Sequence, residues 1–210
     1  MLSPSWQTFP ELKTVNVDHL VNNAGIVPVC LFEHSTDVTN FAPAMDINFW
    51  GSVYTTYFAI PHLRKSRGKI VGITSSAGWL PAPRMMFYNA SKAAVINLYE
   101  CHRTELEKDI GITIVCPGLI ESEMTQGKFL SKEGRLILDQ EMRDAQVSAM
   151  PVRPVALAAK AIVNGACRGD SCVTEPGPSE RETINKKLMT KWAEELSVSL
   201  SVREPKLKPN

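Results

Sequence analysis

Three short apolar runs, "HLVNNAG" (His19–Gly25), "KIVGITSSAG" (Lys69–Gly78) and "ITIVCPG" (Ile112–Gly118), each stop at a cluster of small or turn-forming residues. Short runs rich in β-branched residues read as strands buried on both faces. Strands of that kind pair in parallel, and a parallel connection needs a crossover of a dozen or more residues. The intervals provide it, because roughly Thr36–Lys65 and Met86–Asp109 read as long helices. A further helix over Arg153–Gly169, opened by Pro154, leads to a short last strand in "SCVTEP". This order predicts an α/β fold: a Rossmann-like doubly wound parallel sheet.

The sheet domain is expected over residues 18–176, preceded by a separate segment at 1–17. Beyond it, 177–210 reads as a helix, "ERETINKKLMTKWAEEL", with a solvated charged face and then a flexible tail.

Composition narrows the function. At 210 residues with 44% hydrophobic content, the chain is long enough for one buried core. A net charge of +1 provides no basic surface for nucleic acid and leaves a small-molecule partner. The five cysteines include no C-x-x-C pair, and His19, His34, His62 and His102 are scattered, so neither a disulfide framework nor a metal site is expected. The chemistry then rests on an organic cofactor. No uncharged apolar run reaches the eighteen or so residues of a membrane helix, and the first residues do not read as a signal peptide, so no integral membrane segment and a cytoplasmic address are expected. "NAS" at Asn89–Ser91 matches a glycosylation acceptor only by chance on that reading.

In an open parallel sheet, ligands bind outside the carboxyl ends of the strands. Asn22–Gly25, Thr74–Gly78 and Pro117–Gly118 all fall there. "YNASK" adds Tyr88 and Lys92, which share one helix face at i and i+4. A neighbouring ammonium draws a phenol below its free value of about 10, which suits proton transfer to or from an oxygen.

"NNAG" at 22–25, "MDINFWG" at 45–51, "TSSAG" at 74–78, "YNASK" at 88–92 and "PGLIESEM" at 117–124 form an ordered set. From about Val17 through Pro176 the chain resembles the classical short-chain dehydrogenase/reductase family. "MDINFWG", "YNASKAAV" and "PGLIESEMTQGKF" look most like the plant 11-beta-hydroxysteroid dehydrogenase-like branch of the steroleosin type. The resemblance implies interconversion of a hydroxyl and a ketone with NADP(H) or NAD(H), on a steroid-like or other small hydrophobic alcohol or ketone. It implies Tyr88 as general acid and base, and Lys92 as the group that lowers the phenol pKa and holds the nicotinamide ribose. Ser75 would hold the substrate oxygen, with Ser76 as its competitor. Asn48 would hold a water in the proton relay; a lone helix asparagine is otherwise a surface residue. Pro43, five residues before it, predicts a helix that begins late or kinks. Asn22, Ala24 and Gly25 would line the adenosine side of the cofactor. Pro117, Gly118 and Ile120 would border the nicotinamide, and Ser122 would bond its carboxamide. Trp79, Met85, Met86, Phe87, Met124 and Phe129 would enclose the substrate, although core packing or a dimer face accounts for them equally.

One departure is marked. Family members open with a strand and a glycine-rich turn, followed by a second βαβ unit, whereas only eighteen residues precede His19 and no glycine precedes Gly25. The expectation is an N-terminally truncated sheet that lacks its first βαβ units and binds dinucleotide weakly. The rival reading is a catalytically inactive chain that pairs, as homodimer or heterodimer, with a full-length relative. The oil-body or endoplasmic-reticulum association of such relatives is not expected for this chain.

Overall fold

The computed structural model describes residues 16–80, 82–106 and 109–175. Most of the 1–17 segment and the expected C-terminal helix and tail at 177–210 lie outside the described residues.

Strand β1 (His19–Asn22) pairs in parallel with β2 (Lys69–Ile73), which pairs in parallel with β3 (Gly111–Pro117). The last strand, β6 (Cys172–Glu175), completes the order β1-β2-β3-β6. The four-stranded parallel sheet forms part of a Rossmann-like fold. Its core follows from the two-residue period of a strand. Ile70 of β2 and Ile112, Ile114 and Cys116 of β3 face the helices between the strands, while Val71, Val115 and Val173 face the opposite layer. Gly72 is required by packing, because a Cβ there would lie 2.2 Å from the Tyr99 ring.

The segment expected to be one helix from Thr36 to Lys65 is broken into four pieces. A 3-10 turn at Val38–Phe41 is capped by Asp37, whose carboxylate accepts from Thr39 N. It leads into α1 (Ala42–Met45), a π-helical turn at Asp46–Trp50, and α2 (Gly51–Ser66). Pro43 therefore sits in a first turn, where its missing N–H costs nothing. The late start predicted from Pro43 is what forms. The next helix, α3, spans Met86–Leu106 among the described residues.

After β3 the chain forms a hairpin and a helix that no local sequence pattern announces. Strands β4 (Lys128–Leu130) and β5 (Leu136–Leu138) make an antiparallel hairpin, and α4 (Gln140–Ala149) follows, its first turn capped by Asp139 accepting from Met142 N at 2.9 Å. Helix α5 (Val155–Arg168) then crosses to β6 with Pro154 as its N-cap, one position outside the helix, and Gly169 closes it at φ 82°. Helices α2 and α3 cover one face of the sheet and α5 packs on the other through Ile162 and Ala166. No helix among the described residues is long and apolar enough to cross a membrane.

Candidate active site

Strand β2 ends at Ile73, and Thr74 and the extended Ser75 lead into the turn Ser76–Gly78. Thr74 sends both its backbone N–H and its hydroxyl to Val115 O, at 2.7 and 2.6 Å, which ties the end of β2 to β3. Ser75 then caps the 3-10 turn Ser76–Gly78, its Oγ accepting from Ala77 N at 3.1 Å. The Ser75 hydroxyl also shares a hydrogen bond with the Tyr88 phenol. Ser76 only opens that turn, through its carbonyl to Trp79 N and Leu80 N.

Tyr88 lies in the first turn of α3 and is buried among Val27, Val29, Met85, Phe129 and Met142, with Met124 against the same cluster. One turn on, the Lys92 ammonium stands 5.7 Å from the Tyr88 ring centroid and donates to Ile73 O at 3.1 Å. Burial holds Lys92 below the usual lysine range, at about 8, against the opposing influence of the Cys116 sulfur. Burial also raises Tyr88 above the usual phenol value, and the Ser75 hydrogen bond opposes it. The expectation that Lys92 pulls the phenol down is therefore corrected. Removing a phenolate from water is the larger effect here, and Lys92 is not among the groups that shift it.

Asn48 falls inside the π-helical turn and is only 1% exposed. Its Oδ1 accepts from Ile26 N at 2.8 Å, and its Nδ2 donates to Ile26 O at 3.0 Å and to Ser91 Oγ at 2.9 Å. The Asn48 carbonyl accepts from Ser52 Oγ at 3.1 Å. A surface position is thus ruled out. Gly25 adjoins this knot, since a Cβ there would lie 3.3 Å from Asn48 Oδ1 and 3.4 Å from Lys92 Nζ.

The other expected positions divide. The Asn22 amide turns away from the strand end. It donates to Thr56 Oγ1 at 3.0 Å and to the Tyr99 hydroxyl, while its Oδ1 accepts from Thr55. Its side chain therefore joins β1 to the helix layer instead of lining the cofactor side, because three hydroxyls from α2 and α3 converge on it. Ala24 is exposed at the strand end beside Gly25. Pro117 is buried, and Gly118 N donates to Glu175 O at 2.6 Å. Ile120 bridges to Arg153, which fixes the loop leaving β3. Ser122 is exposed, and its N–H and Oγ bond Thr125 within the same loop. Trp79 is 45% exposed, and Met124 packs against the Tyr88 cluster.

Sequence reasoning missed Ser91, Met142 and Val27. Ser91 lay inside the quoted motif and was legible there as a buried hydroxyl next to Lys92. Met142 had no signal, because its role depends on α4 folding back over the tyrosine. Among the described residues no cluster of His, Cys, Asp and Glu is placed to hold a metal ion.

A family model described as short chain dehydrogenase matches residues 10–133. The chain is 58% identical over 160 residues to 11-beta-hydroxysteroid dehydrogenase 1A of Arabidopsis thaliana, covering 76% of this chain and 46% of that protein. It is 56% identical over 160 residues to 11-beta-hydroxysteroid dehydrogenase A of Sesamum indicum, with the same two coverages, 76% and 46%. The chain thus spans about half the length of the curated relatives it matches. Among solved structures, ElxO with NADP bound superimposes with a TM-score of 0.60 at 27% identity, covering 75% of this chain and 64% of that chain. A 4-hydroxyisoleucine dehydrogenase mutant complexed with NADH and succinate gives 0.50 at 30% identity, covering 55% of this chain and 48% of that one.

Proposed function

The chain belongs to the short-chain dehydrogenase family, and on that premise we propose that it carries the catalytic residues of a nicotinamide-dependent oxidoreductase that interconverts a hydroxyl and a ketone. The observation that carries this reading is the convergence of Ser75, Tyr88 and Lys92 at the end of β2, with Tyr88 bonded to Ser75 and Lys92 to Ile73.

Two features fit a nicotinamide cofactor. The Lys92 ammonium has three donors, and Ile73 O takes one, which leaves donors for the two hydroxyls of a ribose. Gly25 keeps the backbone close to that ammonium, where a Cβ would narrow the approach. NADP is the preferred form and NAD the alternative. Bound there, the nicotinamide supplies or accepts the hydride.

The residues of the chain handle the proton. Burial keeps Tyr88 neutral, which is the form that donates to a carbonyl oxygen as it becomes an alkoxide. Ser75, already linked to the phenol, bonds the same oxygen and holds it within reach. In the oxidative direction Tyr88 acts from its phenolate form, which has first released its proton and then takes the one the alcohol gives up. Val27, Met85, Met124, Phe129 and Met142 enclose the phenol in apolar surface, which favours a hydrophobic, steroid-like alcohol or ketone.

A second reading has its own observation. Trp50, Tyr57 and Phe58 are exposed in and beside α2, Tyr57 at 70%, and this aromatic face suits pairing with a full-length relative without turnover. Calorimetric titration of the chain with NADPH and NADH, followed by a hydroxysteroid oxidation assay, separates the two. Dinucleotide binding with turnover supports the first. A chain that binds neither dinucleotide yet associates with a relative sinks it and supports the second.

A further inference from the structure

Ser91 has no exposed surface. Its hydroxyl donates to Tyr88 O at 2.8 Å, a bond that any helical serine can make to its own preceding turn. The second bond is not generic, because Ser91 Oγ accepts from Asn48 Nδ2, 43 positions away, at 2.9 Å. The same Asn48 amide grips both backbone groups of Ile26. Three segments therefore meet at one buried knot: the chain leaving β1, the π-helical turn before α2, and the second turn of α3. Gly25 borders the knot on one side and the Lys92 ammonium on the other.

We propose that Ser91 is a positioning residue for the dinucleotide site: it locks the second turn of α3 to the Asn48–Ile26 pair and so sets the distance between the Lys92 ammonium and the backbone at Gly25. This rests on Lys92 holding the cofactor, as read above. Without the Ser91 hydroxyl, Asn48 keeps Ile26, but α3 is held to the loop by packing alone. Lys92 then moves outward and water reaches its ammonium. The titratable groups that face that ammonium are Tyr88 on its own helix and Cys116 at the end of β3.

The test follows the 13C-labelled Lys92 side chain through a pH titration of the ligand-free chain, with the resonance assigned from Lys92→Met. Ser91→Ala is expected to raise the Lys92 midpoint from about 8 toward the ordinary lysine value, with an unchanged circular dichroism spectrum. Asn48→Ala is expected to do the same, and the double variant to fall short of the sum, because the two residues act as one link. NADPH affinity is expected to fall about tenfold, which corresponds to about 1.4 kcal/mol. A folded Ser91→Ala chain in which Lys92 titrates where the wild type does overturns the proposal, as does strict additivity. Should Ser91→Ala not fold, Ser91→Cys keeps the volume with a weaker acceptor, and a Lys92 midpoint unmoved by it is equally fatal. Failure of the wild-type chain to bind NADPH overturns the cofactor reading, while the ligand-free titration still decides the role of Ser91.

Discussion

Lys92 Nζ lies 3.1 Å from the carbonyl oxygen of Ile73, so the helix that carries Tyr88 is tied by its lysine to the strand that leads into Ser75. A buried ammonium at a strand end is costly unless something uses it. Here the first loop of the sheet runs beside that ammonium at Gly25, where an added Cβ would lie 3.4 Å from Nζ.

Replacement of Tyr88 by Phe is expected to leave the apolar cluster packed and to remove the proton donor. In a full-length form carrying these residues, kcat should fall about a hundredfold to ten-thousandfold with dinucleotide affinity retained. Steady-state kinetics beside calorimetry check it, and near-normal kcat in the variant would dismiss Tyr88 as the acid.

Lys92 makes stability rise with pH. Its folded pKa of about 8 lies below the ordinary 10.5, so below pH 8 the charge is buried in full and its penalty is complete. Above that, the unfolded chain holds a proton the folded chain has released, and folding gains until the unfolded group titrates. Tyr88, raised above its ordinary 10.0, acts in the opposite sense only at higher pH, which leaves the window between about 8 and 10 to Lys92. Between about pH 7.5 and 9.5 the wild type should gain on the order of 2 kcal/mol relative to Lys92→Met. Parallel urea denaturation curves at the two pH values measure it, and a constant difference would contradict the burial of that charge.

Gly72→Ala should destabilise the chain by about 1–3 kcal/mol or more, because the new methyl meets buried ring atoms and the core must shift. The ring concerned is Tyr99, whose Cε2 and Cδ2 would lie 2.2 and 2.5 Å from the added carbon. A urea midpoint unchanged from wild type would show that the ring moves freely.

Asn22→Ala separates a structural role from a cofactor role. Its amide bonds Thr56 and Tyr99, so its loss should cost about 1–3 kcal/mol of stability through groups left unpaired. NADPH affinity should stay within about threefold, well under 1.4 kcal/mol. A stable variant with tenfold weaker NADPH binding would return Asn22 to the cofactor side.

The sequence by itself determined the order of the parallel strands, the helices between them, and the residues at the strand ends. These are local signals: apolar runs, turn residues and a four-residue helical spacing are all read within a short window. Even the break near Pro43 was announced by the residue that causes it. The tertiary structure alone decided where side chains point. Asn22 faces Tyr99, 77 positions away, and Asn48 faces Ile26 and Ser91, and no local pattern encodes either meeting. The hairpin β4–β5 and α4 escaped notice because strands of three residues carry too few alternations to be read. The protonation of Tyr88 was misjudged for the same reason. The spacing to Lys92 is written in the sequence, but the burial that outweighs it comes from Val27, Phe129 and Met142, brought together only when the chain closes over the phenol.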